Sequence, residues 1–349
     1  MGRISVIPLP DHVLFVLLAL LNLCGPPRSR PMPVPSLNWT VISVPAGKSG
    51  IPRSVMLAPH AASASLLFTE ADDWNISLWH LRLPVRDPIE AAQIQLLSPN
   101  DTPSDVSVQK DDSLSLVSTR AGSGRCQLFY RDLRGNEANF VNHLYESGIF
   151  VRPHFVRHAA HDHAIIDALA IVGGKTIPVL FQPGIAQNYG EYIVLPQPAN
   201  GNLLDERLLP YGSGYLLLTR LSLPHIAAER SLGLHISVPL GILYGTVLDK
   251  AFRPIGEPVR IIGDTQVYEF DADVHGNDIV LLATTATGFE LAVGPLDRGK
   301  IDPKHCQAIP WERPLASPAV VTVSDWAQAA IIDSPGDPGA KIMTSRFGL

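Results

Sequence analysis

The residues here with the means to do chemistry are acids and arginines that recur at one place in a repeated pattern. Asp105, Asp205, Glu206, Glu269, Asp271 and Asp273 fall in or beside short runs that read as inner strands, and Arg53 and Arg152 occupy comparable places. Glycoside hydrolysis needs two carboxylates facing each other across a site. A ring of mixed charge could equally grip a polar ligand, or only satisfy a wet channel. The candidate ligand-binding set is therefore Arg53, Asp105, Arg152, Asp205, Glu269 and Asp271, joined by His225 and His235 from a long insertion between Leu221 and Leu240. Long loops of this kind in a compact fold are often lids or binding elements. The insertion also carries Glu229 and Arg230, and its apolar residues Leu223, Ile226, Leu232, Leu234 and Ile236 fit a segment that packs on what lies beneath it.

A second cluster is His154, His158, His161 and His163, with Asp162 among them. His-x-His and His-x₃-His spacings can hold zinc or copper. Metal ligands must also share geometry and outer hydrogen-bond support, and this stretch falls where one strand turns into the next. It reads as a polar turn, so no metal and no cofactor is expected. There is no glycine-rich phosphate loop, no Gly-x-Ser-x-Gly elbow, no zinc-protease helix and no Cys-x-x-Cys. No residue is assigned as catalytic.

The elements that would position these side chains are strands. From Trp39 onward, alternating or β-branched runs of four to eight residues are divided by turn residues. The best helical candidate, Leu223 to Leu232, is short. One class of apolar run starts near positions 65, 114, 163, 214, 279 and 327, at steps of 49, 49, 51, 65 and 48. A second class starts near positions 74, 125, 175, 242, 289 and 340, at steps of 51, 50, 67, 47 and 51. The two long steps overlap ahead of Ile242 and mark a single insertion. A multi-strand unit of about 50 residues is the signature of a propeller blade. The expected fold is all-β, a six-bladed β-propeller of four-stranded antiparallel blades. Its inner strands lie near Ser54, Asp105, Val151, Leu204, Val267 and Val320. The sixth unit lacks an outer strand, and Trp39-Thr-Val-Ile-Ser-Val44 is left over ahead of the first. This N-terminal strand, 39–44, should close the ring and cover an edge that would otherwise pair with other chains.

Gly50-Ile-Pro-Arg53, Leu66-Leu-Phe-Thr-Glu70 and Ser77-Leu-Trp-His-Leu-Arg82 resemble the first blade of the sialidase-like six-bladed propeller superfamily. The turn at Asp249 to Ile262 is similar to that superfamily's connection between third and fourth strands. The resemblance implies the strand layout of the whole ring. Its Asp box, Ser-x-Asp-x-Gly-x-Thr-Trp, does not occur here, and Arg53 follows Ile-Pro where the superfamily's arginine precedes it. The resemblance therefore carries over no catalytic residue.

Composition sets the remaining bounds. The 349 residues are 46% hydrophobic and 17% charged, with a net charge of −6. That leaves no basic footprint for nucleic acid. Val13 to Leu23 is an apolar run too short to span a bilayer as a helix. Residues 1–25 read as a signal peptide or short membrane anchor, and 26–36, with Pro26, Pro27, Pro31, Pro33 and Pro35, as a stiff tether to a propeller over 37–349. Cys126 and Cys306 fall in non-adjacent units and read as unpaired thiols. Localisation outside the cytoplasm follows, secreted or membrane-tethered. The expected function is recognition of a glycan, peptide or protein partner. A sialidase-like glycoside hydrolase or lyase with diverged site residues is one alternative, and a scaffold subunit of an envelope complex is another.

Overall fold

The computed structural model describes residues 37–42, 50–71, 76–83, 92–97, 101–109, 111–122, 125–133, 137–139, 149–157, 165–181, 192–197, 201–222, 229–231, 237–297, 300–301, 305–337 and 339–349. The expectations for residues 1–36, for His158, His161 and His163, and for His225 and His235 lie outside them.

Every regular element among the described residues is a strand. After β1 (Thr40–Ile42) the chain forms β2 (Ile51–Pro59), β3 (Ala64–Ala71), β4 (Ile76–Leu83) and β5 (Ala92–Leu97) as blade 1. Blade 2 is β6 (Asp101–Val108), β7 (Leu114–Gly122), β8 (Arg125–Asp132) and β9 (Glu137–Asn139). Blade 3 is β10 (Ile149–Phe155), β11 (Ile166–Val172), β12 (Lys175–Phe181) and β13 (Tyr192–Val194). Blade 4 begins with β14 (Asn202–Tyr211) and β15 (Gly214–Ser222). It is interrupted by the hairpin β16 (Glu229–Ser231) and β17 (Ser237–Pro239), and resumes as β18 (Gly241–Leu248) and β19 (Val259–Arg260). Blade 5 is β20 (Gln266–His275), β21 (Asp278–Thr285) and β22 (Gly288–Asp297), the short β23 (Lys300–Ile301), and β24 (His305–Pro310). Blade 6 is β25 (Leu315–Val323), β26 (Trp326–Asp333) and β27 (Lys341–Gly348), with β1 as its fourth strand. The strand β1 pairs antiparallel with β27 through Thr40↔Thr344, Val41↔Met343 and Ile42↔Ile342.

The hairpin corrects one expectation. Glu229–Ser231, inside the stretch read as a short helix, pairs with Ser237–Pro239 instead. The backbone of so short a segment is satisfied across a hairpin more readily than along one helical turn, because a helical nucleus fixes several residues for its first hydrogen bond.

The middle strands explain the apolar runs. All eight residues of β26 are buried, as are seven of the eight in β21 and in β3. A strand covered on both faces is apolar along its length and not on alternate residues. The cover comes from neighbouring blades, and each interface has its own cluster. Leu67 and Leu116 belong to the cluster between blades 1 and 2, Val117 and Ile166 to that between 2 and 3, and Leu180 and Leu217 to that between 3 and 4. Leu218 and Leu281 join blades 4 and 5, and Val280 and Ile331 join 5 and 6. Phe68, Trp79, Val321 and Ile332 then join blade 6 back to blade 1, with Ile42 of β1 in the same cluster. Trp39 packs edge-on against Phe289 of blade 5, centroids 5.4 Å apart.

One irregularity recurs in every first strand. The register shifts by a bulge between Pro52 and Ser54, Pro103 and Asp105, Val151 and His154, Leu203 and Asp205, Val267 and Glu269, and Ala316 and Ala319. A bulge adds a residue to one strand and re-aims the side chains around it. Here the six of them surround the channel.

Candidate functional site at the channel floor

First strands are the inner edges of their sheets, so part of their backbone has no strand partner. Side chains of the preceding blade supply it. Asp105 Oδ2 accepts from Phe155 N (3.0 Å), Asp271 Oδ2 from Val320 N (2.9 Å) and Asp273 Oδ2 from Thr322 N (2.8 Å). Asp167 accepts from Leu208 N, Glu269 Oε2 from Ser317 N (2.7 Å), and Ser317 Oγ from Val55 N (2.9 Å). Several acids picked out from the sequence thus staple one blade to the next.

The same acids meet arginines. Arg157 Nη2 lies 2.9 Å from Asp105 Oδ1 and 3.6 Å from Asp271 Oδ2. Arg207 Nη1 lies 2.8 Å from Asp105 Oδ2, and its Nε lies 3.3 Å from Asp271 Oδ1. Asp205 pairs with Arg152 and, at 3.7 Å, with Arg220. Arg157, Arg207 and Arg220 are buried, whereas the Arg152 side chain is 36% exposed. Burial pushes the Asp105 carboxyl up, but Arg157 and Arg207 outweigh it and hold it well below the usual carboxylate range. Asp271 is also pushed up by burial, and its more distant guanidinium partners leave it raised. Burial and the Arg207 charge bring the His154 imidazole down to about 3, so it is neutral at physiological pH.

Asp105, Arg152, Asp205, Glu269 and Asp271 line one cavity of about 160 Å³ at the start of the first strands, together with His154 and residues of blades 1 and 6. Five of the expected residues are therefore brought together. Arg53 is not among them: it is the inserted residue of its bulge, its side chain is exposed, and the wall on that side is Ser54. Sequence reasoning missed Arg157, Arg207, Arg220 and Ser317, and it read His154 as part of a polar turn, whereas His154 lies in β10 and lines the cavity. Arg207 follows Asp205 by two in a strand, which puts both on one face. Arg220 is the register partner of Asp205 across β14 and β15. Those two were within reach of a period-two reading, while Arg157 lies beyond the end of β10 and had no such signal.

Two backbone outliers sit in the floor. Arg152 and Ser317 have φ of 51°, and each precedes a proline, Pro153 and Pro318. Left-handed backbone costs a non-glycine residue about 1–3 kcal/mol and persists only where the surroundings hold it. What holds it here is the Asp205 carboxylate on Arg152 and the Glu269 carboxylate on the Ser317 amide. The 229–239 hairpin leaves blade 4 at this same end, since Ser222 pairs with Asn202 beside the floor. Arg220 Nη1 donates to Pro239 O (2.7 Å) where the hairpin returns. Gly241 permits that return, because a Cβ there would come 2.8 Å from both Arg220 Cγ and Leu221 O.

Among solved structures, this arrangement of blades matches the neuraminidase-like protein from A/bat/Guatemala/164/2009, with a TM-score of 0.52, 8% identity, and 90% of this chain and 94% of that chain covered. It matches the hemagglutinin-neuraminidase of parainfluenza virus 5, solved with the ligand DANA, with a TM-score of 0.51, 10% identity, and coverage of 90% and 95%. The chain has a neuraminidase-like β-propeller fold. No protein-family profile matches the sequence, and no curated protein matches it. At such identities the likeness is one of fold.

Two further clusters lie elsewhere in this neuraminidase-like propeller. Between blades 3 and 4, Glu206 is buried with neither carboxylate oxygen hydrogen-bonded, near Asp167. Burial, then the Asp167 and Asp205 charges, raise Glu206 well above the ordinary range, and burial brings Asp167 up to about 7. At the turns of blades 1 and 2, His60 Nδ1 lies 2.5 Å from Asp112 Oδ1, and His60 Nε2 lies 2.7 Å from Ser65 Oγ. Ser65 Oγ is also 2.9 Å from His80 Nε2. The chain Asp–His–Ser has the connectivity of an activated nucleophile. Ser65 is fully buried, however, so no acyl group can reach its oxygen, and the chain ties the two blades together.

Proposed function

We propose that this propeller is a recognition module acting outside the cytoplasm, and that its channel floor receives one polar terminal group of a glycan or protein partner. The observation that carries the reading is the pairing of the floor's own charges. Arg157 and Arg207 are matched to Asp105 and Asp271, and Arg152 and Arg220 to Asp205. Charges already paired and stapled into the backbone are held for architecture, and moving them to bind a reacting group would leave a buried partner uncompensated. The cavity, at about 160 Å³, is below the ~300–1,000 Å³ of sites that enclose drug-sized ligands. It suits a terminal group with the rest of the partner outside. The apolar N-terminal run and proline-rich stretch support export and a tether.

A glycoside hydrolase is the second reading, because Asp205 and Glu269 line the same cavity and two carboxylates across a site are the minimum for that reaction. One experiment separates the two. The protein is incubated with a panel of oligosaccharides, binding is followed by saturation-transfer NMR, and the oligosaccharides are recovered. Saturation transfer to a terminal residue with every glycan recovered intact is the expected result. Release of a sugar, abolished in Glu269→Gln, would assign the floor to hydrolysis.

A further inference from the structure

Resting on the recognition reading, we infer that the group taken by the floor is a neutral, hydroxyl-bearing ring, such as an unsubstituted sugar terminus, and not an acid or an amine. The groups left unspent after the floor has paired its charges decide this. Arg152 gives Nη1 to Asp205, and among the described residues its Nε and Nη2 have no hydrogen-bond partner. Glu269 gives Oε2 to the Ser317 amide, and its Oε1 has no partner among the described residues. The His154 ring has no hydrogen bond there either, and as a neutral imidazole it offers one donor and one acceptor. These three residues line the same cavity, on blades 3 and 5. Arg157 Nε and Arg207 Nε and Nη2 also lack a hydrogen bond but are wholly buried, so the inventory open to a ligand is one guanidinium edge, one carboxylate oxygen and one imidazole.

That inventory selects against charge of either sign. The cavity wall holds four carboxylates, Asp105, Asp205, Glu269 and Asp271, against three guanidinium groups, Arg152, Arg157 and Arg207. An acidic ligand would meet Arg152, the most exposed guanidinium of the cavity wall, whose charge Asp205 already offsets. Glu269 and the excess of carboxylates would oppose it at close range. A cationic ligand would be drawn to Glu269 and opposed by the Arg152 edge beside it. Hydroxyl groups on adjacent carbons meet neither penalty. One accepts from Arg152, another donates to Glu269 Oε1, and a third can do either with His154. Sites built on such matched buried polar groups reject analogues that leave one of them unpaired.

Isothermal titration of the full chain with three probes tests this: N-acetyllactosamine, the same disaccharide carrying a terminal sialic acid, and a peptide ending in lysine. The expected result is binding of N-acetyllactosamine at least about tenfold tighter than either charged probe, tenfold being about 1.4 kcal/mol. Arg152→Lys keeps a cation for Asp205 and removes the free donor edge. Glu269→Gln keeps an acceptor for the Ser317 amide and converts the free acceptor to a donor. Each should weaken the neutral probe about tenfold while thermal melts show the fold intact. Tighter binding of the sialylated or the lysine probe would overturn the inference and leave the recognition reading standing. Neutral binding indifferent to both substitutions would place the ligand elsewhere and overturn the inference. Binding of none of the three would overturn both.

Discussion

Arg207 shows what a single buried charge does here. It is 2% exposed and touches carboxylates of two other blades, Asp105 of blade 2 and Asp271 of blade 5. It therefore ties the ring across the channel, not only along it. Arg207→Met should destabilise the protein by about 3–5 kcal/mol, because it leaves two carboxylates short of a partner in the interior; urea unfolding monitored by circular dichroism reads the loss. Asp167 offers a prediction of the opposite kind. Its carboxyl is raised to about 7, so the folded protein keeps a proton that the unfolded chain releases near pH 4. This contribution to stability is complete below about pH 4 and falls as pH climbs towards 7, by up to about 1.4 kcal/mol per unit. Asp167→Asn keeps an acceptor for Leu208 N–H without the titration. The stability difference, variant minus native, should grow in the variant's favour between about pH 4 and 7. A difference flat with pH would refute the assignment.

At the scale of elements, the consequential strand is β1, only three residues long. β1 covers the edge of β27, places Ile42 in the cluster between blades 6 and 1, and follows Trp39, which reaches Phe289 of blade 5. Loss of a buried large side chain costs about 2–5 kcal/mol, and a domain has about 5–15 kcal/mol in all. Removal of residues 37–42 should consume most of that and expose a paired edge to other chains. Thermal melting with size-exclusion chromatography checks it, the expectation being early unfolding and soluble aggregates. The bulges are the other decisive element. They bring two or three residues per first strand to the channel cavity, where Arg152, with φ of 51°, meets Asp205, whereas Arg53, without a left-handed backbone, stays exposed outside it.

For the molecule as a whole, the six clusters each belong to two blades. Among the described residues no blade has a core of its own, so none should melt alone. Unfolding followed by tryptophan fluorescence and by circular dichroism should give coincident transitions. Two separated transitions, with part of the sheet signal surviving the first, would contradict a closed ring.

The blade pattern was legible in the sequence because it rests on local facts. Strands covered on both faces must be apolar throughout, turns between them need glycine, proline or polar residues, and the two together repeat at the length of a blade. The spare strand ahead of blade 1 followed by counting, and the register of β1 on β27 agrees with that count. Asp105, Asp205, Glu269 and Asp271 were legible as channel residues for the same reason: they lie in first strands. What the sequence could not contain was which charge meets which. Arg157 reaches Asp105 over a separation of 52 residues and Arg207 over 102, so both pairings depend on how three blades converge. Only the closed ring brings those guanidinium groups to the same carboxylate. Among the described residues, that convergence leaves Arg152, Glu269 and His154 with unpaired hydrogen-bonding atoms at the cavity wall.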